Sequence, residues 1–228
     1  MSHRRLILPQ LSAVGVSAHE VQKHTGFRVY FGPVEAEHIP LYLANGREAT
    51  PAMRLVRFGW KKRLILTPME LIPALKKFPI AAVILLAVFG MRPEGIMYNY
   101  ALNEAMPFLM LTFAAILSGA LITPLLLPVI PSRSFAVKGW IAGMAATAPV
   151  VILTSLFRET SWLIKSYALL LFPLLSSYLG LQFTGATTYT GISGVKKEIQ
   201  IAVPIYAAGA MIVILLITLH KLTSWGLL

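Results

Sequence analysis

The stretch from Gln182 to Glu198 holds three Gly and five Ser or Thr residues between two apolar runs, and it closes on Lys196-Lys197-Glu198. Backbone N–H groups in such a segment can approach an anion. A polar turn between two helices has the same composition, and so does a loop that hydrogen-bonds a docked domain. The five histidines, His3, His19, His24, His38 and His220, have no metal-ligand spacing. His19 and His24 are five apart and do not share one helix face, so solvated surface positions are the favoured reading. The sequence contains no Cys and no Asp. Disulfides, thiolate-bound metals, iron–sulfur clusters and Cys nucleophiles are therefore excluded within it, as are motifs that require Asp, such as an EF-hand or a Walker-type Mg²⁺ ligand. No Ser/His/acid constellation and no phosphate-binding Gly loop stands out.

The elements that must position any site fall into two zones. Of 228 residues, 57% are hydrophobic and 13% charged, with a mean hydropathy of +0.72, more apolar than a soluble core requires. The excess follows Lys77, in uncharged runs suited to crossing about 30 Å of hydrocarbon. Five spans are predicted: 78–91, 106–127, 136–157, 162–181 and 199–219. The first reaches only about 21 Å at 1.5 Å per residue, so it needs Lys76 and Lys77 to snorkel or the bilayer to thin. Gly139-x-x-x-Gly143, with Thr147 four residues on, puts small residues along one face of the third span. Packing within the bundle is favoured there over dimerisation. Pro124, Pro128, Pro173 and Pro204 are candidates for kinks. A transporter path would also need ionisable groups deep in a span; none is found, and Lys165 lies near enough to an end to snorkel.

The net charge is +11, of which residues 1–77 supply +7, from twelve Lys or Arg against five Glu. Loop charges alternate accordingly, so the expected protein is a multi-pass inner-membrane protein with a cytosolic N-terminus and an outward C-terminus. The cations are scattered singly, without a basic helix, so nucleic acid is not an expected partner. The start of the chain has only a three-residue apolar run before Pro9, too short for a signal peptide, and insertion is expected to rely on the later helices.

Residues 1–77 read as α/β. Strands are predicted at Arg5 to Leu8, Phe27 to Phe31 and Leu64 to Leu66, and helices at about Ala18 to His24 and Ala36 to Ala44. Ser17 and Glu20 have the spacing of a reciprocal capping box, and Thr25-Gly26 and Asn45-Gly46 stop the helices. Alternation of this kind argues a parallel layer with ligands at the carboxyl ends of its strands, here Pro9-Gln10, Gly32-Pro33 and Thr67-Pro68. Three strands and two helices are half of a doubly wound domain and cannot cover both sheet faces. A missing part, the membrane part or a partner is expected to cover them.

Two stretches carry a resemblance. Arg4-Arg-Leu-Ile-Leu-Pro-Gln-Leu11, continuing through Gly15-Val16, His19-Glu20-Val21, Thr25-Gly26-Phe27, Tyr30-Phe-Gly-Pro-Val34 and Ile39-Pro40, resembles the second half of the corrinoid-binding domain of the mercury-methylation corrinoid protein family, HgcA. The first stretch is also similar to the corrinoid iron–sulfur protein of the acetyl-CoA pathway, which lacks a membrane part. Phe183-Thr-Gly-Ala-Thr-Thr-Tyr-Thr190 through Ser193-Gly-Val-Lys-Lys-Glu198 resembles the HgcA signature between its last two spans, and the two stretches together favour HgcA. The resemblance implies a partial Rossmann-like corrinoid-binding domain, a cobalamin-type cofactor, methyl transfer to Hg(II) and a ferredoxin-like iron–sulfur partner. Gln10, Leu11, Gly15, Gly32 and Pro33 are expected to line that corrinoid because they sit at strand ends, with Thr67 a further candidate, although structural turns account for the same Gly and Pro residues nearly as well. The family's cobalt is faced by the Cys of a cap helix, in a motif like Asn-Val-Trp-Cys-Ala. That helix would lie upstream of Met1, so the expectation is an N-terminally truncated relative, inactive alone. The alternative is a membrane scaffold that docks a partner without corrinoid chemistry.

Overall fold

The computed structural model describes residues 3–56, 58–186 and 192–227. The chain forms two compact units, Met1–Phe58 and Gly59–Leu228.

In the first unit, β1 (Arg5–Leu8) pairs in parallel with β2 (Arg28–Phe31), with Leu8 opposite Phe31. Between them runs α1 (Ala18–Thr25), which begins where the Ser17 hydroxyl accepts the Glu20 N–H at 3.4 Å. The Glu20 carboxylate lies 3.3 Å from His24 Nε2, one turn on. Gly26 stops the helix at φ 73°, the left-handed cap that Gly adopts without cost. A 3₁₀ turn at Ala36–His38 leads into α2 (Ile39–Ala44). The expected third strand is absent. Leu64 to Leu66 belong to α3 (Trp60–Leu66), a helix of the second unit. A short apolar run has no period that separates strand from helix, and Pro68 after Thr67 opens the next helix instead of marking a break. The sheet thus has two strands among the described residues, not the three on which a Rossmann-like layer was expected.

The second unit contains five helical runs long and apolar enough to cross a membrane. They are α3 with α4 (Pro68–Gly90); α5 (Tyr98–Leu117), continued through a π turn at Ser118–Ile122 into α6 (Thr123–Leu125); α7 (Phe135–Leu153); α8 (Trp162–Gln182); and α9 (Ile192–Ser224). A small hairpin of β3 (Met91–Arg92) and β4 (Gly95–Ile96) joins the first two runs. The first span is not the short one the sequence suggested. α4 has 23 residues and covers about 35 Å at 1.5 Å per residue. Lys76 and Lys77 sit exposed within it, where long stems carry their charges aside.

The outside of this unit is as apolar as its inside, unlike a protein in water. Outward positions in mid-helix are apolar, including Ile80, Val83, Met110, Met211 and Ile214. The interior is apolar too, with Phe89, Phe108, Leu111 and Phe172 buried, but it also holds the hydroxyls of Thr112, Ser118, Thr123, Thr147, Ser176 and Ser177. Thr112 and Thr123 donate back to carbonyls of their own helical runs, at Phe108 and Ser118, each at 2.7 Å. Hydroxyls within and hydrocarbon without is the arrangement of a bundle in lipid. Five helices of this length and apolarity suggest a multi-pass membrane protein.

Two packing zones hold it. At one end Phe89 stacks on Phe108 at 4.2 Å, and Phe108 meets Phe157 and Tyr167 edge-on. Toward the other end α7 and α8 approach backbone to backbone. A Cβ on Gly139 would lie 2.7 Å from Ser176 O, and one on Gly143 would lie 2.6 Å from Ser176 Cβ. The small-residue face read from Gly139 and Gly143 therefore packs within the bundle.

Helix order places Arg133 and Glu159, both exposed, in loops at opposite ends of α7. Because the sequence has no Cys, Arg133→Cys and Glu159→Cys each carry one reactive thiol. In sealed vesicles an impermeant maleimide should label them from opposite sides of the membrane; labelling of both from one side would contradict the five-span order.

Candidate functional site

In the first unit, the loops leaving β1 and β2 are tied together at the carboxyl end of the parallel pair. The Gln10 N–H donates to Pro33 O at 2.9 Å, Leu11 N–H to Val34 O at 3.4 Å, and Gly32 N–H to Leu8 O at 2.9 Å. Val34 N–H donates in turn to Met53 O at 3.0 Å, so a third segment braces the loops from behind. Pro33 and Met53 are buried. Gln10 opens a 3₁₀ turn, Gln10–Val14, which Gly15 closes by donating to Ser12 O at 3.0 Å.

Four of the expected residues, Gln10, Leu11, Gly32 and Pro33, thus meet at one edge, with Gly15 at the end of the adjoining turn. The sixth residue named with them in the sequence, Thr67, is not at a strand end. It lies between α3 and α4 in the second unit, buried, with its hydroxyl donating to Leu64 O at 2.7 Å. The reason is the helical state of Leu64 to Leu66.

The chemistry of this edge is that of a wall. The amides of Gln10 and Leu11 are occupied by carbonyls, so they are not donors for an anion. Leu11 is 56% exposed and Val14 is 99% exposed, which gives an uncovered apolar shelf beside the strand ends. A flat, largely apolar ligand face suits such a shelf; a free phosphate does not. No family model, curated protein or solved structure matches the chain. The site therefore rests on its own geometry and on the sequence resemblance.

The second region with functional character lies at the end of the membrane bundle where α7 and α9 begin. Ser134 caps α7 by accepting the Val137 N–H at 3.2 Å. The Glu198 carboxylate, reaching across from α9, accepts from the Ser134 hydroxyl at 2.7 Å and from the Ala136 N–H at 2.8 Å. It satisfies an orphan donor and complements the helix dipole. At the facing terminus of α6, Arg63 Nη1 donates to Leu125 O at 2.8 Å and Lys138 Nζ donates to Leu127 O. Cations thus sit on helix-end carbonyls and a carboxylate on helix-start amides.

The Gly- and hydroxyl-rich stretch feeds this region from one side. Phe183 and Thr184 are buried in a 3₁₀ turn, and Ser193 and Gly194 border a groove. Residues 187–191 of that stretch lie outside the described residues. Among the described residues no cluster of three or more His or Glu could hold a metal ion. The roles of Arg63, Lys138 and Glu198 were not legible in sequence, because each partner is 11 to 64 positions away.

The two glycines at the shelf differ in what holds them. A Cβ on Gly32 would lie 3.1 Å from both Ile7 Cγ2 and Tyr42 Cε1, whereas one on Gly15 meets nothing nearer than Ser12 O at 4.0 Å. Gly32→Ala should loosen the first unit by about 1 kcal/mol, as overpacking does. It would be seen as faster limited proteolysis of that unit in the full chain. Gly15→Ala should leave the cleavage rate unchanged; equal sensitivity of the two variants would contradict this packing.

Proposed function

We propose that the chain is a membrane-anchored corrinoid protein of the mercury-methylation type, in which the first unit holds one face of a cobalamin-type corrinoid and the helical bundle fixes it to the inner membrane. The reading rests on the pairing of Gln10 and Leu11 with Pro33 and Val34, which joins the strand ends of a parallel β-α-β unit into one shelf. Ligands of open parallel α/β layers sit at that edge. The resemblance of both the first unit and the loop before α9 to HgcA supplies the identity of the ligand.

The fit is partial. Leu11 and Val14 suit the apolar face of a macrocycle, and Gly15 leaves room beside them. The donor set does not extend to a thiolate axial ligand, since the sequence has no Cys. A thiolate facing cobalt must then come from a segment outside these 228 residues, and no methyl transfer is expected from them unaided. A bound corrinoid would supply the methyl-carrier chemistry, with a ferredoxin-like iron–sulfur protein as electron donor. The cationic excess of residues 1–77 favours a cytosolic first unit, which with five spans puts the C-terminus outside.

A scaffold that docks a partner without corrinoid is the second reading. It is favoured by the exposure of Leu11, Val14, Leu41 and Leu55 on a unit whose buried residues, among those described, are Pro33 and Met53.

Hydroxocobalamin titrated against the full chain in detergent, with and without a cap-helix peptide containing the Trp-Cys-Ala segment, separates the two. The corrinoid reading expects weak retention by the chain, stronger retention with the peptide, and loss of both in Leu11→Glu. Absence of retention even with peptide would leave the scaffold reading, and methylmercury formation by the chain alone would contradict both.

A further inference from the structure

We propose that the groove where α7 and α9 begin seats the headgroup of an anionic phospholipid. The groove measures about 810 Å³ and is walled by the α6–α7 connection, the first turn of α7 and the first turn of α9. Its composition is divided. Leu127, Ile130 and Phe135 give it an apolar side, and Arg133, Lys138 and Ser193 give it a cationic, hydroxylated side. No carboxylate lines it among the described residues.

The acid closest in the fold is already committed. Glu198 spans the start of α7, holding the Ser134 hydroxyl and the Ala136 amide, so its charge is set against the positive end of the α7 dipole and that amide is not left for an anion. Arg63 and Lys138 are near enough to influence each other electrostatically, and both are directed at the carbonyls ending the α6 run. Arg133 stands exposed at the rim. Positive charge is therefore concentrated at the mouth, at the depth where the apolar spans of α7 and α9 start.

That depth selects the ligand. A phosphate carried by a lipid meets Arg133 and Lys138 while its glycerol and acyl carbons lie along Leu127, Ile130 and Phe135. A free phosphate uses only the first set of contacts. Basic pockets between spans are established seats for anionic headgroups.

The test uses the full chain in nanodiscs of equal parts phosphatidylglycerol and phosphatidylcholine, with the lipids retained after release identified by native mass spectrometry. The wild type should retain phosphatidylglycerol preferentially. Arg133→Gln should cut that preference about five-fold, the contribution of one cation near an anionic surface. Ser193→Glu, on the opposite wall, should lower it too, whereas Lys197→Gln, which removes a cation that does not line the groove, should change it less than two-fold. Inorganic phosphate should not displace the lipid. Displacement by phosphate would reassign the groove to a soluble anion and overturn the proposal. Equal losses in Arg133→Gln and Lys197→Gln would overturn it as well, by reducing the preference to general surface charge.

Discussion

The backbone contact between α7 and α8 at Ser176 is the constraint on which the membrane unit depends. Apolar side chains gain little by leaving lipid for a protein interior, so a bundle in a bilayer needs close van der Waals approach and satisfied polar groups. Both occur at Ser176. Gly119, Gly139 and Gly143 each bring a backbone against it so closely that a Cβ on any of them would stand within 2.7 Å of its atoms. Its hydroxyl donates to Gly139 O at 2.8 Å. Next to it, Ser177 donates to Ala136 O at 2.7 Å and lies 2.9 Å from the Tyr206 hydroxyl of α9. One pair of serines thereby ties three helical runs, and the π turn that carries Gly119 brings in the fourth.

The rest of the unit follows from that seam. With α7 and α8 in contact, the start of α7 falls where Glu198 can cap it, and the connection from α6 is held near Lys138. The groove is the space left between these capped ends. At the opposite end side chains are large, and Phe89, Phe108, Phe157 and Tyr167 fill the wider separation with ring contacts. Small residues thus hold one end of the bundle and aromatic rings the other.

Local chemistry was legible in the sequence; tertiary commitments were not. Ser17 and Gly26 bound α1 where their types indicate, since caps act within one turn. The cores of all five helical runs were readable because length and apolarity decide them. Leu64 to Leu66 misled because three apolar residues fit either period, and Thr67-Pro68 read as a break although proline suits a first helical turn. Lys76 and Lys77 shortened the first span on paper, whereas exposed lysine stems are tolerated along a helix. Gln10, Leu11, Gly32 and Pro33 follow real strands, β1 and β2, as their sequence indicates, whereas Thr67 follows a helix and not a strand.

The first unit is built on a different principle. Two short parallel strands and two helices bury little, and backbone pairing between loops fixes the strand-end edge in place of a filled core. An edge of that kind is suited to being completed by something laid against it, a ligand face or a partner. The seam at Ser176 is the claim most directly open to measurement. Gly143→Ala places a methyl against Ser176 Cβ and the Pro173 backbone, whereas Gly209→Ala meets only the end of the Leu174 side chain, which can turn aside. Unfolding of the two variants in sodium dodecyl sulfate should show Gly143→Ala less stable than wild type by about 2 kcal/mol and Gly209→Ala nearly unchanged. Wild-type stability in Gly143→Ala would contradict the account.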